Sequence, residues 1–269
     1  MPLEKRFCLR GCITVLLLCS GCFVLSSCLG QNANPEWIHE AESILEKRII
    51  PPKGYQRIPV SSGSFAHYLR TLPLKSSGNL VYYYNGLPKV NRSVYAAVVD
   101  MELDQQDLQQ CADAVMRLRG EYLYKIKDYS NLHFDFVSDS KSRYYTTYVN
   151  GDYSYPTFRK YMRYIFSYAN TRSLHNEMKP RDIMNMEIGD VLIQKKNPYG
   201  HAVIVVDMAI NPANGKKVYL LAQSYMPAQD TQILLNPMND DLSPWYELNS
   251  KTINTPEWTF TPQDLRHFE

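Results

Sequence analysis

The chain has 269 residues and a formal net charge of +2, from 29 lysines and arginines against 27 aspartates and glutamates. The two signs are interspersed, so no electrostatic footprint for nucleic acid is visible and no nucleic-acid partner is expected. His39, His67, His133, His175 and His267 have no metal-ligand spacing, no glycine-rich phosphate loop is present, and no cofactor is expected.

Residues 1–28 read as an export signal. Lys5, Arg6 and Arg10 give a positive start, and an apolar run follows from Ile13 to Leu18 and on to Phe23, Val24 and Leu25. The segment ends in Leu25-Ser26-Ser27-Cys28. An aliphatic residue, two small residues and a cysteine resemble the lipobox of bacterial lipoproteins, which implies a diacylglyceryl group on the Cys28 sulfur. Cys22 fits less well, because Cys19 stands where a lipobox has an aliphatic residue. The run falls short of the ~20 uninterrupted apolar residues needed to span a membrane, and more than one acyl chain anchors a protein stably. No aspartate follows Cys28, so the expected place is the bacterial cell envelope, lipid-anchored, in the outer membrane facing the periplasm. The membrane is the partner this segment implies.

A tether over 29–35 leaves about 235 residues, which suits a single domain over 36–269. Trp37 to Ile49 has helical spacing and is stopped by Pro51-Pro52, and Ser62 to Leu72 predicts a second short helix. Leu80 to Tyr84 and Val94 to Met101 read as strands around the turn-prone Asn85-Gly86 and Pro88. Asp104 is placed to cap a helix beginning near Gln105, on which Leu108, Cys111, Val115, Leu118 and Tyr122 form one apolar face. His133 to Val137 alternates like a strand. Lys141 to Tyr155 is polar and aromatic, and Pro156 opens an amphipathic helix carrying Phe158, Tyr161, Met162, Ile165 and Phe166. Eight of the 21 tyrosines fall between Tyr144 and Tyr168; they fit a carbohydrate or peptide groove, or ordinary packing with hydroxyls at the rim.

From Ile188 the texture changes to strand and turn. Gly189-Asp190 leads into Val191-Leu192-Ile193, Asn197-Pro198-Tyr199-Gly200 turns the chain, and His201 begins the run Ala202 to Val206. Val218 to Gln223 is the next strand, and Pro244-Trp245, Pro256-Glu257-Trp258 and Phe260 mark an irregular wrap. Helices followed by a meander make the fold class α+β, with an N-terminal portion over 36–103, a core over 104–235 and a C-terminal wrap over 236–269.

Cys8, Cys12, Cys19 and Cys22 lie in the leader and Cys28 is the acylation site, so Cys111 is the single thiol left. It is either a small buried hydrophobe or a nucleophile. Cysteine catalysis needs an imidazole to take the proton and a polar group to orient that imidazole. Cys111 on a helix, His201 at the start of a strand and Gln223 at the end of the next supply that set in order. Gln110 or a nearby backbone amide would donate to the oxyanion. Asp207 is an alternative orienter if its strand kinks.

Gly189-Asp190-Val191-Leu192-Ile193 and Gly200-His201-Ala202-Val203-Ile204-Val205 resemble the corresponding strands of NlpC-type and CHAP-type cell-wall peptidases, with Leu221-Ala222-Gln223-Ser224 where those enzymes carry their third polar residue. The resemblance covers roughly residues 105–235. It implies a papain-like helix packed on an antiparallel sheet, here with an N-terminal extension and an aromatic insertion, and cleavage of peptide or amide bonds in peptidoglycan. Those enzymes hold the nucleophile at a helix N-terminus, whereas the periodicity puts Cys111 nearly two turns into its helix. More broadly, Asp107 to Ala114, Gly200 to Asp207 and Leu221 to Asp230 are similar to an uncharacterised lipoprotein family of Bacteroidetes, a domain of unknown function.

Two functions are therefore expected: a lipid-anchored cysteine peptidase or amidase with Cys111, His201 and Gln223 as its catalytic set, or a non-catalytic lipoprotein binding a glycan or peptide.

Overall fold

The apolar run that begins at His201 becomes the longest strand of a nine-stranded antiparallel sheet. A computed structural model describes residues 38–269; the export signal, Cys28, the tether and Trp37 lie outside them. The elements that build the site are helices α1 (Phe65–Arg70), α2 (Cys111–Lys125), α3 (Tyr155–Tyr168) and α4 (Thr171–Glu177). The strands are β1 (Tyr95–Val98), β2 (Val191–Gln194), β3 (His201–Ile210), β4 (Lys217–Gln223), β5 (Gln232–Leu234) and β6 (Leu265–His267). They lie in the order β1-β5-β4-β3-β2-β6. The result is a mixed α+β fold.

Successive side chains of a strand face opposite ways, and β3 is apolar on both faces because both are covered. Ala202, Ile204 and Val206 join Val115, Met116 and Leu118 of α2 in the larger core. Val203 and Val205 pack instead with Phe260, Ile253 and Leu265 of the C-terminal segment in a second core. The tail is thus more ordered than an irregular wrap: β6 pairs with β2, and Tyr246–Glu247 pairs with β4.

Several expected elements change. Helix α2 begins at Cys111, not near Gln105, and Asp104 is not its cap. The Asp104 carboxylate binds Arg159 and Arg163 of α3 at 2.8 and 3.0 Å, and a side chain held by two guanidiniums on another helix is spent as a cap. The expected helix over Trp37 to Ile49 shrinks to Leu45–Arg48, because Ile38 pairs with Ile49 and Ile44 with Pro73 as isolated bridges. Leu80 to Tyr84 forms no ladder; Tyr82 and Tyr83 make single bridges to Pro88 and Gln229. The tyrosine-rich stretch does both: buried Tyr145 meets Tyr129, Tyr153, Phe158 and Tyr161 at ring distances of 5.2–6.0 Å, while Tyr144, Tyr148, Tyr155 and Tyr168 are exposed.

Candidate functional site

The loop before α2 is pinned to the segment after β4, and this sets where the helix starts. Asp107 Oδ1 accepts from the Ala228 amide at 2.7 Å and from Gln110 Nε2 at 3.0 Å. Ser224 Oγ donates to the Gln109 carbonyl at 3.1 Å. Gln110 is extended (φ −86°, ψ −157°), and Asp113 Oδ2 accepts from its backbone N–H at 3.1 Å. The first intrahelical bond of α2 is from Ala114 N–H to the Gln110 carbonyl, so the amides of Cys111 and Ala112 lie in the turn whose N–H groups have no helical acceptor. Cys111 is therefore the first residue of the helix, at the positive end of its dipole. The Gln110 side-chain amide gives one N–H to Asp107 and keeps its second.

Just before β3, Gly200 lets the chain reach His201. A Cβ at Gly200 would lie 2.1 Å from the Gln194 carbonyl oxygen, so the close approach of the β2–β3 turn admits glycine alone. His201 Nε2 and Gln223 Oε1 are 2.8 Å apart across the β3–β4 pair, and both residues are 1% exposed. The His201 ring lies against Tyr225, Trp258 and Phe260 at 4.8, 5.2 and 5.9 Å, with the edge of Trp258 fixed by its N–H bond to Gln194 Oε1 at 2.9 Å.

Sequence reasoning missed a further pair behind Gln223. Its Nε2 donates to Glu257 Oε2 at 2.7 Å, and the same oxygen accepts from Lys89 Nζ at 2.7 Å. Lys89 is only 3% exposed and lies 5.6 Å from the centre of the Tyr225 ring. The one sequence signal for this pair was an acid enclosed by Pro256 and Trp258 in a tail anchored by aromatic residues.

Sulfur and imidazole come to the same end of β3 without a hydrogen bond between them. The Cys111 thiol takes backbone N–H contacts from Ala202, the residue after His201, and from Ala112. Its side-chain partner is Thr171 Oγ1 at 3.9 Å. His201 Nδ1 is buried with no hydrogen-bond partner. Burial pushes the Cys111 thiol up, the nearby Asp113 adds to this, and the Ala202 N–H and Thr171 hydroxyl oppose it. Burial pulls His201 down to about 4, with Lys89 adding to the shift and Gln223 opposing it. Both groups therefore rest neutral, the thiol protonated and the imidazole uncharged.

Cys111 is 4% exposed, yet it lines a cleft of about 350 Å³ with Asp113, Thr171, Arg172, Lys195, Lys196 and Tyr199. The one carboxyl of that lining, Asp113, is pushed up to about 8 by burial, so Arg172, Lys195 and Lys196 make the cleft electropositive at neutral pH. Asp207 is no orienter. The ladder does shift between Val205 and Asp207, but the carboxylate is clamped by Arg57 at 2.8 Å and Arg70 at 2.7 Å.

Among the described residues no group of three or more His, Cys, Asp or Glu gathers as a metal site, and no helix is long and apolar enough to cross a membrane. A family model described as "Domain of unknown function (4846)" matches residues 45–267. No curated protein and no solved structure matches the chain.

Proposed function

The chain belongs to this family of unknown function, and we propose that it is a lipid-anchored cysteine hydrolase of the bacterial cell envelope, with a papain-like layout. The observation that carries the reading is the His201 imidazole. It is held by Gln223 through Nε2 and left with a buried, unpartnered Nδ1, while the backbone N–H of the next residue, Ala202, reaches the thiol of Cys111 at a helix N-terminus. A buried nitrogen with no partner costs about 1–3 kcal/mol, and a role as proton acceptor would account for it.

In the proposed reaction Cys111 turns from Thr171 towards His201, and Sγ attacks a peptide or amide carbonyl carbon as its proton passes to Nδ1. The backbone amides of Cys111 and Ala112 stabilise the oxyanion. Collapse of the intermediate breaks the C–N bond, and the leaving amine takes the proton from Nδ1. Water then attacks the thioester, giving a proton to His201, and the departing sulfur recovers it. The electropositive cleft favours substrates with a carboxylate near the scissile bond, as in peptidoglycan peptides. The anchor is the acylated Cys28, supported by Leu25-Ser26-Ser27-Cys28 alone; a Cys28→Ser variant should leave the membrane fraction.

A second reading has its own support. Tyr82, Tyr83 and Tyr84 line a separate cleft of about 760 Å³ with Lys75, Asp100, Glu102 and Asp230, a surface suited to a glycan or peptide held without chemistry. Digestion of purified peptidoglycan by wild type and Cys111→Ala, followed by mass spectrometry, decides between them. New peptide or amide cleavage products from wild type alone support the hydrolase; equal profiles with retained binding support the lipoprotein that only binds.

A further inference from the structure

We infer that Glu257, held by Lys89, is the positioning residue that decides which nitrogen of His201 carries the proton. The inference rests on the hydrolase reading for its purpose but not for its geometry.

What each group is able to donate fixes the direction of every bond in this chain. A carboxylate accepts hydrogen bonds and donates none, and an amide has one end of each kind. Glu257 Oε2 lies 2.7 Å from Gln223 Nε2 and 2.7 Å from Lys89 Nζ. The end of Gln223 that faces Glu257 is therefore its NH₂, and its carbonyl oxygen faces His201. That oxygen is an acceptor 2.8 Å from His201 Nε2, so Nε2 bears the hydrogen. A neutral imidazole has one N–H, so Nδ1 is left with a bare lone pair, and Nδ1 is the buried nitrogen without a partner. The orientation of an amide is often ambiguous; here an ion pair two residues away removes the ambiguity. Lys89 belongs to the N-terminal portion and Glu257 to the C-terminal segment, so the site is completed by both ends of the described fold. Lys89 is buried at 3% exposure, which fits a cation placed for one carboxylate rather than for solvent.

The relay makes a reversal possible. The double swap Glu257→Lys with Lys89→Glu keeps an ion pair but turns the acceptor facing Gln223 into a donor. Gln223 must then rotate its amide, present N–H to the imidazole, and drive the proton from Nε2 to Nδ1. The test is imidazole nitrogen NMR on the full chain in detergent at pH 7, labelled with ¹⁵N-histidine. The His201 signals are assigned by their loss in His201→Gln. Cys111 alkylation by iodoacetamide is measured on the same samples.

Wild type is expected to show His201 protonated at Nε2 and bare at Nδ1. The swap is expected to invert this and to slow alkylation on the order of tenfold or more, as for other catalytic histidines held in the wrong tautomer. If the swap fails to fold, Glu257→Gln serves: an amide there faces Gln223 either way, and the second tautomer should appear. Nδ1–H in wild type, or one unchanged tautomer in a folded variant, overturns the inference. A tautomer that inverts while alkylation stays constant supports the relay and removes the hydrolase reading, so the two failures are distinguishable.

Discussion

His201 Nε2 lies 2.8 Å from Gln223 Oε1 although the two residues are 22 positions apart, because β3 and β4 pair antiparallel and place both at one end of the sheet. Removing the amide leaves a buried imidazole with neither nitrogen partnered. Gln223→Ala should lower thermal stability by about 1–3 kcal/mol, the usual cost of an unpaired buried polar group. It should also slow Cys111 alkylation on the order of tenfold, while Gln223→Asn retains part of the rate. Differential scanning calorimetry and a timed alkylation assay read the two effects separately.

Asp207 offers a contrast on the same strand. Its carboxylate is fully buried between Arg57 and Arg70, and removing one member of a buried ionic cluster is costly. Asp207→Asn should destabilise the fold by about 3–5 kcal/mol in chemical denaturation. At temperatures where the variant is folded, Cys111 should alkylate at the wild-type rate. A specific loss of reactivity would restore Asp207 to the site.

Asp113 should leave a mark on stability against pH. Its carboxyl is raised to about 8 in the folded protein by burial, whereas an unfolded aspartate titrates near ~3.9. Between these values the native state holds a proton that the unfolded state has lost. The contribution is therefore fully present below about pH 4 and disappears as pH rises through about 8. Asp113→Asn has no such proton to lose and keeps an oxygen for the Gln110 amide. Its melting temperature relative to wild type should climb steadily from pH 5 to pH 8; a constant difference would contradict the assignment.

The cations of the cleft are testable with two alkylating agents of similar size. Arg172, Lys195 and Lys196 line the same cleft as Cys111, so iodoacetate should gain on iodoacetamide at low salt and lose the advantage as salt screens the field. Arg172→Gln with Lys196→Gln should cut the iodoacetate rate severalfold and leave iodoacetamide nearly unchanged.

Much of this architecture was legible in the sequence where pattern and period agree. The apolar run after His201, the turn at Gly200 and the strand ending at Gln223 all fold as read, because uninterrupted β-branched and aliphatic residues leave few alternatives. The start of α2 was not legible. Leu108 falls on the same helical period as Cys111 and Val115, so periodicity extends the helix backwards. What stops it is tertiary, the bonds from Asp107 and Gln109 to Ala228 and Ser224, more than a hundred residues away. Glu257 and Lys89 were hidden for the same reason. An isolated lysine and an isolated glutamate carry no period, and only the closure of the C-terminal segment over His201 brings them behind Gln223. The shift of Cys111 to the first position of its helix removes the main objection that the sequence raised against a nucleophilic role.

The central claim is that Cys111 and His201 act together, and alkylation across pH tests it most directly. Burial holds His201 near 4 and pushes the thiol up, so from pH 5 to pH 8 the imidazole is a neutral acceptor and the sulfur is protonated. Wild type should therefore react with iodoacetamide at a nearly level rate over that range and rise above it as the thiol ionises. His201→Ala, folded by circular dichroism, should react at least about tenfold more slowly at pH 7 and converge on wild type at high pH. Equal rates for wild type and His201→Ala at pH 7 would contradict the account.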